Sequence, residues 1–357
     1  MTETALPKKD RNSNIELLRI FMMLVIILHH YIVNSGVIQC VDSIVTSRGG
    51  GTDLTLFNAY FALCAGWGGK MAINVFLLIT GYFMCRQEFK WKKVIGLYCL
   101  IKFYSLTIYL IFLLSGYEAF TLKECYKTVF NVSFEFGKGF VSSFIGLYFL
   151  VPFINKFISV LDENAFEKML LILFVMFMGI STFLLNTSFE YIGWYVMVYL
   201  TGAYIRLYPP AILKNKKIMA IASAVLLLLS WCSVAFIFFV SLKVKRVLPY
   251  YWFVNDSNKI LAFLPAVALF CLFKELRLGH SRIINAFASC TLSVLLIHAS
   301  SDTMRRWLWQ DVLKNTTAFE ESWFAIHAVV STLCVYFACV LIDLIRKQVL
   351  NFIKAKH

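Results

Sequence analysis

Long apolar stretches recur along nearly the whole chain. Ten of them reach or approach the length of about 20 residues that an α-helix needs to cross a bilayer. Backbone N–H and C=O groups inside a bilayer must find partners within the protein, so such stretches predict helices rather than open sheets. Hydrophobic residues make up 60% of the chain and charged residues 15%, which excludes an ordinary soluble domain. The sequence therefore predicts an all-α integral membrane protein.

The predicted membrane-spanning helices lie, within a few residues, at 15–33, 71–85, 93–115, 140–160, 168–186, 191–207, 218–242, 259–274, 283–300 and 323–345. The stretches 34–70 and 116–139 are the longest between them, and we predict them to be loops. No internal repeat or attached soluble domain interrupts the pattern. We therefore expect one membrane domain at 14–346, between cytoplasmic tails at 1–13 and 347–357.

Basic residues are distributed unevenly between the two sides of these predicted helices. They concentrate in alternate connecting segments, among them 86–93, 206–217 and 274–282, and in the two tails. Cytoplasmic loops of membrane proteins carry such an excess of Lys and Arg, so the pattern predicts about ten spans with both termini inside (N-in, C-in). This orientation and contact with the lipid bilayer account for the net charge of +14, and no nucleic acid partner is expected.

The first span carries two ionisable residues on one face, Arg19 and His30. At about 100° per residue, eleven residues return a helix to within roughly 20° of the same direction, over a rise of roughly 16 Å. Ionisable residues inside a span are candidates for function. A structural role is the alternative, because Arg19 can extend to the interface and pair with Glu16, and His30 can be an interfacial residue. His29 lies about 100° from this face and is not expected to share the same interior channel.

Motifs of several other chemistries are missing from the sequence. It has no metal-ligand spacing, no phosphate-binding glycine loop and no Gly-X-Ser-X-Gly nucleophile motif. We therefore expect neither a metal site nor a permanently bound cofactor.

Four segments, in order, resemble the acyltransferase-3 family of integral membrane acyltransferases. In the first, Glu16 is followed after two residues by Arg19, and Arg19 after ten residues by His30. The second is the apolar segment 73–84, which ends in Thr-Gly-Tyr-Phe-Met, and the third is 144–155, which resembles members that modify surface polysaccharides. The fourth is 289–298, a Ser-containing element that ends at His298 and has Leu295 where Tyr is usual in the family. The resemblance covers nearly the whole chain.

The resemblance implies a reaction and a location. The reaction is transfer of an acetyl or other short acyl group from cytoplasmic acyl-CoA to a hydroxyl of a cell-surface polysaccharide or lipid-linked glycan precursor. The location is a bacterial inner or cytoplasmic membrane, with glycan-synthesis machinery as a candidate partner. His30 would be catalytic, because a neutral imidazole can take the proton of the hydroxyl or carry the acyl group itself. Glu16 and Arg19 would complete the catalytic set, with Glu16, three residues before Arg19, orienting the Arg19 side chain.

The resemblance also implies where the donor, acetyl-CoA or another acyl-CoA, binds. Arg19 lies near the cytoplasmic end of its span, where it can contact the phosphates or the pantetheine. Many family members have Arg-X-X-Arg before the third span, whereas this chain has Lys90-Trp-Lys-Lys93. Lysine binds phosphate as a point charge. We predict that Arg19, Lys90, Lys93 and Arg206 bind acyl-CoA, with a plain anchoring role as the alternative for Arg206.

The acceptor is expected at the outer side. His298 and Asn74 belong to the matching segments, and Tyr251 and Trp252 follow a basic cluster at 243–246. A second basic and aromatic cluster lies at 305–309. Aromatic rings can stack on sugars and cations suit anionic glycans or lipid-linked phosphates, although an interfacial aromatic belt needs no ligand. We predict that His298, Asn74, Tyr251 and Trp252 bind the acceptor, with a packed histidine as the alternative for His298.

Two other functions are compatible with the composition. One is a polysaccharide translocase or transporter without covalent chemistry, and the other is a membrane scaffold. Transporters are often built from repeats with helices broken at matching positions, which the sequence does not show. A scaffold would not require the register of Arg19 and His30.

Overall fold

The computed structural model of the protein describes residues 12–47, 50–134, 139–184 and 191–356, and all regular structure within these ranges is helical. The α-helices are α1 (Ser13–Val33), α2 (Val37–Thr46), α3 (Asp53–Gly66), α4 (Gly69–Met84), α5 (Trp91–Leu114), α6 (Leu122–Phe134), α7 (Phe140–Ile158), α8 (Glu163–Phe174), α9 (Ile180–Phe183), α10 (Tyr191–Leu207), α11 (Lys216–Val244), α12 (Ile260–Glu275), α13 (Arg282–Ala288), α14 (Thr291–His298), α15 (Asp302–Arg306), α16 (Asn315–Phe319) and α17 (Phe324–Lys356). Short 3-10 or π segments lie at Val175–Gly179, Ala211–Lys214 and Trp307–Val312. The predicted all-α architecture is confirmed.

Two of the long helices, α1 and α11, begin at asparagines that cap their first turn. The side chain of Asn12 accepts a hydrogen bond from the backbone N–H of Asn14 at the start of α1. Asn215 does the same for the N–H groups of Lys217 and Ile218 at the start of α11. These side chains satisfy backbone donors that have no partner within the helix. Local sequence therefore sets where these apolar helices begin.

Seven helical segments of the described chain are long and apolar enough to cross a membrane. They are Ser13–Val33, Asp53–Met84, Trp91–Leu114, Phe140–Ile158, Glu163–Phe183, Lys216–Val244 and Phe324–Ala355. The bent pair Arg282–His298 and Asp302–Val312 makes an eighth if it is counted as one span. Helices α10 and α12 have 17 and 16 residues, which is short for a span. The chain is a multi-pass membrane protein, whereas the ten-span count and the N-in, C-in orientation stay predictions.

Two stretches that we predicted to be loops are largely helical in their described parts. The stretch 34–70 contains α2 and α3, and α3 is separated from α4 only by Trp67 and Gly68. The stretch 116–139 contains the whole of α6. The loop prediction was wrong because polar residues and the glycines at 66–69 interrupt the apolar pattern without ending the helical path.

Helix α4 lies at the centre of the bundle, in contact with α1, α10 and α12. Its approach to α10 is close at two glycines. A Cβ on Gly81 would overlap the backbone carbonyl of Tyr199, and a Cβ on Gly202 would overlap the carbonyl of Leu78. Small residues permit such backbone-to-backbone packing between membrane helices. Because α1 packs against the same helix, α4 holds α1 and α10 in one fixed group.

Both ends of α1 are tied to segments far away in sequence. At its beginning, the Asn14 side chain donates to the carbonyl of Leu276 and accepts from the backbone N–H of Leu278, 2.8 Å away. Near its end, the hydroxyl of Tyr31 lies 2.7 Å from Nδ1 of His327 in α17. These contacts fix α1 along its full length.

Candidate active site

A cavity of about 250 Å³ lies beside the last turns of α1, and we call it the histidine cavity because His29 and His30 line it. Its walls come from α1, α4, α5, α10, the start of α7 and the break between α14 and α15. Polar and ionisable residues in its lining that are candidates for function are His29, His30, Lys70, Ser105, Ser300 and Arg305. Apolar side chains such as Ile26 and Ile73 separate them. The described lining contains two imidazoles and two cations, and no carboxylate.

His30 is hydrogen-bonded to a second histidine from a distant helix. Its Nδ1 lies 3.0 Å from Nε2 of His298, whose Nδ1 lies 2.6 Å from the carbonyl oxygen of Val294. A carbonyl oxygen only accepts, so Nδ1 of His298 carries the proton and Nε2 of neutral His298 accepts from Nδ1 of His30. Nε2 of His30 then keeps its lone pair. The three residues therefore fix the tautomer in which His30 can act as a base.

His29 lines the same cavity. Its Nδ1 is hydrogen-bonded to the carbonyl oxygen of Gly66, so its Nε2 also keeps a lone pair. The expectation that only His30 faces the interior was wrong. Helix α4 begins at Gly69, where a Cβ would overlap the His29 ring, so the absence of a side chain there makes room for this imidazole. The contact with His298 distinguishes His30 from His29.

Lys70 places an ammonium group in the same wall. Its Nζ donates to the hydroxyl of Tyr191, 3.2 Å away, and lies 3.6 Å from Oδ1 of Asp256. Tyr191 lines the cavity, whereas Asp256 lies outside the described lining. The Lys70 ammonium is therefore held in position, and its positive charge is partly compensated by the carboxylate of Asp256.

A second and larger cavity, of about 1020 Å³, lies at the beginning of α1. Its charged lining residues are Glu16, Arg19, Arg86, Lys93 and Arg206, and we call it the cationic cavity. Uncharged residues of α4 and α7 add to the lining. Four cations face one carboxylate. Such a concentration of positive charge in a concave site favours an anionic ligand.

The cations of this second cavity are positioned by neighbouring side chains. Arg19 lies 3.8 Å from Oε1 of Glu16 on the next turn of the helix. Nη1 of Arg206 donates to the hydroxyl of Tyr82, 2.9 Å away, and its guanidinium lies 4.9 Å from the centre of that ring. Tyr82 and Arg206 come from the closely packed pair α4 and α10, so that packing places Arg206 opposite Arg19.

The structure separates the two lysines of the predicted donor site. Lys93 lines the second cavity and donates to Oε1 of Gln87, 3.1 Å away. Lys90 immediately precedes α5, is exposed and is outside the lining that the described residues form. Lys90 has an extended backbone before the first turn of α5, whereas Lys93 lies within that turn, so the two side chains do not share a helix face.

The two cavities follow the same three helices. Helix α1 contributes Arg19 to one and His30 to the other. Helix α4 contributes Tyr82 and its neighbours near the end of the helix to one, and Lys70 and Ile73 near its beginning to the other. Helix α7 contributes Phe144 and Tyr148 to the cationic cavity and its first residues to the histidine cavity. Along α1, Arg19 and His30 are separated by a rise of roughly 16 Å. The two cavities therefore lie one after the other along the same three helices.

Asn74, which we predicted to bind the acceptor, lies outside the described linings of both cavities. It is fully buried, and its amide donates to the carbonyls of Ser257 and Ala262, at 2.7 and 3.1 Å. Its Oδ1 accepts from Nε1 of Trp194, 2.9 Å away. These contacts give Asn74 a packing role between α4, α10 and the start of α12.

The other predicted acceptor residues are placed differently. His298 is buried behind His30 and contacts the cavity through that ring. Trp252 donates from Nε1 to the carbonyl of Thr182, 3.3 Å away. The Tyr251 hydroxyl is buried and has no hydrogen-bond partner among the described residues. Neither Tyr251 nor Trp252 belongs to the described lining of the histidine cavity.

Several lining residues were missed from the sequence. Arg86 follows directly after the second predicted span, and its place beside the Lys90–Lys93 segment was the available signal. Lys70 and Ser105 carried no such signal, because one lies in a predicted loop and the other is a single hydroxyl in an apolar span. Only the packing of α4, α5 and α1 shows that both reach the histidines.

Comparison with protein-family models finds one match, an acyltransferase domain, the acyltransferase-3 family, over residues 12–343. A search of curated proteins and a search of solved structures give no significant match. The family match covers almost the entire described chain, including both cavities and the motif from Glu16 to His30. The chain therefore belongs to the acyltransferase-3 family of membrane acyltransferases.

Proposed function

We propose that the protein transfers an acetyl or another short acyl group from acyl-CoA to a hydroxyl of a cell-surface polysaccharide or its lipid-linked precursor, in a bacterial inner membrane. The observation that carries this proposal is the pair of cavities on one path along α1, with four cations at one end and two imidazoles at the other. Family membership supports acyl transfer. The cationic cavity supports CoA as the carrier of the acyl group.

The donor would bind with its phosphates in the cationic cavity. Arg19, Arg86 and Arg206 offer planar guanidinium groups that can form two parallel hydrogen bonds to a phosphate, and Lys93 adds a point charge. Glu16 would hold Arg19 in place and would not contact the donor. The pantetheine arm then extends between α1, α4 and α7, which brings the thioester to the histidine cavity.

His30 would act as the general base. Its Nε2 accepts the proton of the acceptor hydroxyl while that oxygen attacks the thioester carbon. The C–S bond of the tetrahedral intermediate then breaks, and protonated His30 returns the proton to the thiolate of CoA. Lys70, in the same wall, makes the potential positive where the carbonyl oxygen gains negative charge. His298 would position His30 through the hydrogen bond to Nδ1.

A two-step route uses the same residues. Nε2 of His30 attacks the thioester carbon, the C–S bond breaks and CoA leaves as the thiolate, so that His30 becomes an acylimidazolium. The acceptor hydroxyl then attacks the acyl carbon, the bond from Nε2 to that carbon breaks, and the hydroxyl proton goes to the thiolate. Incubation of the purified protein with labelled acetyl-CoA and no acceptor separates the two routes. Label retained on wild-type protein and absent from His30→Ala supports the two-step route, whereas unlabelled wild-type protein that still acylates the glycan supports direct transfer.

A translocase without covalent chemistry is the second candidate. Its support is the 95° break between Arg282–His298 and Asp302–Val312, because transporters use broken helices. Such transporters usually carry breaks at corresponding positions in two repeats, and the described residues show one bent pair. The acyltransferase is therefore the better proposal.

The decisive experiment uses purified protein in lipid nanodiscs, labelled acetyl-CoA and surface glycan extracted from cells that carry the protein. Label should appear on the glycan as an alkali-labile ester, and His30→Ala should abolish it. A deletion strain should export polymer that lacks these esters. Export that stops while the remaining polymer keeps its esters would support the translocase instead.

A further inference from the structure

The break after α14 turns the chain back over the histidine cavity. Helix α14 ends at His298, and α15 begins at Asp302 after a bend of 95°. Ala299 and Ser300, within the bend, line the cavity, and so does Arg305 on the next turn. The same bend that holds His298 behind His30 therefore brings an arginine to the cavity from a different direction.

The structure distinguishes Arg305 from the adjacent Arg306. Arg306 is exposed and lies with its guanidinium 5.5 Å from the centre of the Tyr117 ring, away from the cavity. Arg305 lines the cavity, and its Nη1 donates to Oδ1 of Asp302, 2.7 Å away. The Asp302 side chain is 97% exposed, so solvent screens this ion pair. The charge of Arg305 is therefore only weakly compensated.

Three residues of the lining each carry a buried side-chain atom that has no hydrogen-bond partner among the described residues. The atoms are Nε of Arg305, Oγ of Ser300 and Oγ of Ser105. Burying a polar atom without a partner is costly, and such atoms in a cavity indicate a ligand or water that completes their bonding. Ser105 from α5, Ser300 from the bend and Arg305 from α15 therefore bring incompletely bonded polar groups to the cavity that His30 lines.

This set of groups suits a polar ligand that carries negative charge. Hydroxyl groups of a sugar can exchange hydrogen bonds with Ser105 and Ser300, because each serine both donates and accepts. Guanidinium N–H groups only donate, and their strongest partners are carboxylate and phosphate oxygens. The lining holds two cations and no carboxylate, so an acidic group entering it meets attraction without repulsion.

We propose that the acceptor glycan is anionic and that Arg305 binds its carboxylate or phosphate group while the sugar hydroxyl to be acylated lies at His30. This inference rests on the proposed acyl transfer and specifies its acceptor class. Arg305 is a specificity residue for the acceptor, and the cationic cavity at Arg19 remains the separate site of the donor.

The test compares three forms of the de-esterified native glycan: untreated, with its carboxylates reduced to alcohols, and with its phosphodiesters removed. Wild-type protein, Arg305→Gln, Arg305→Lys and the matched control Arg306→Gln are assayed in nanodiscs with labelled acetyl-CoA. We expect one of the two chemical treatments to raise the acceptor KM of the wild type about tenfold, and that treatment identifies the anion.

Arg305→Gln should raise the KM for untreated glycan by about the same factor. For the treated glycan that has lost the recognised anion, the same substitution should change the KM little further. Arg305→Lys should recover part of the loss, and Arg306→Gln should match the wild type. The KM for acetyl-CoA should stay unchanged in all variants, which also reports that each variant is folded.

Results that overturn this inference can be distinguished from results that overturn the proposed function. Equal use of all three glycans by an active wild type would overturn the anionic acceptor and leave the acyltransferase intact. A lower kcat of Arg305→Gln on every glycan, with unchanged KM, would assign Arg305 to the reaction centre instead and overturn the inference. Failure of the wild type to label any glycan would overturn the proposed function, and the inference with it.

Discussion

At the scale of single residues, the lone pair on Nε2 of His30 depends on the backbone carbonyl of Val294, which acts through His298. The carbonyl of Val294 orients His298, and His298 in turn orients His30. His29 has a simpler arrangement, because one carbonyl contacts it directly. Both rings line the cavity, so geometry alone leaves two imidazoles at the reaction site, and the paired one matches the histidine of the family motif.

The two histidines should therefore differ in their effect on turnover. His30→Ala should lower the rate of acyl transfer by at least about 100-fold, because it removes the base, whereas His29→Ala should be milder. The measurement is ester content of the glycan at matched protein levels, supported by the labelled acetyl-CoA assay. An inactive His29→Ala beside an active His30→Ala would reverse the assignment, and wild-type activity in both would refute the mechanism.

Lys93 and Lys90 form a natural matched pair for the donor site. Lys93→Ala should raise the KM for acetyl-CoA roughly three- to tenfold, because an exposed charge contact to a phosphate is lost. Lys90→Ala should change it by less than about twofold, since this side chain lies outside the cavity lining. The measurement is initial rate against acetyl-CoA concentration at low salt. Equal effects of the two substitutions would contradict the described lining.

At the scale of elements, the close packing of α4 on α10 positions both cavities. Gly81 and Gly202 let the two backbones touch, and this contact sets Arg206 beside Tyr82. The same two helices place Lys70 beside Tyr191 at their opposite ends. A change in the α4–α10 distance would therefore disturb the donor cavity and the histidine cavity together.

Gly81→Ala should destabilise the protein by about 1–3 kcal/mol, because the added Cβ meets the backbone carbonyl of Tyr199, which cannot move aside. Gly96→Ala is the control, since a Cβ there, in the exposed face of α5, meets nothing within 4 Å. Alanine is the better helix former, so this variant should be as stable as the wild type or slightly more stable. Thermal unfolding in detergent measures both, and a Gly81→Ala variant as stable as Gly96→Ala would disprove the close contact.

At the scale of the whole molecule, α1 separates a cationic end from an end with two histidines. The positive-inside distribution predicts that the cationic end faces the cytoplasm, where acyl-CoA is available. The histidine cavity would then lie toward the outer side, where surface glycans are assembled or exported. In that orientation, the proposed acyl transfer would carry the acyl group across much of the bilayer within one protein.

Reporter fusions should test this orientation. A reporter before Met1 and another after His357 should both be cytoplasmic, because the excess of Lys and Arg lies in the connecting segments on their side. The measurement is the activity of paired reporters that function only inside or only outside the cell. An external signal from either end would contradict an even number of spans with the cationic cavity inside.

The sequence by itself determined the helical membrane architecture, because apolar length alone excludes most other structures within a bilayer. It also determined the relation of Arg19 to His30, since both lie on one helix with a fixed period. Three of the four predicted donor residues, Arg19, Lys93 and Arg206, line one cavity for a related reason: each lies at the predicted cytoplasmic end of its span, and these ends meet on one side of the bundle.

Only the tertiary structure decided which other side chains join Arg19 and His30 in the two cavities. The partnership of His30 with His298 spans 268 positions, and the place of Arg305 at the cavity follows a 95° bend between α14 and α15. Asn74 resembled a ligand-binding residue in its motif, yet its hydrogen bonds are used in packing. Spacing along one helix follows from local geometry, whereas the composition of a cavity depends on how distant helices approach, which is set by packing at sites such as Gly81.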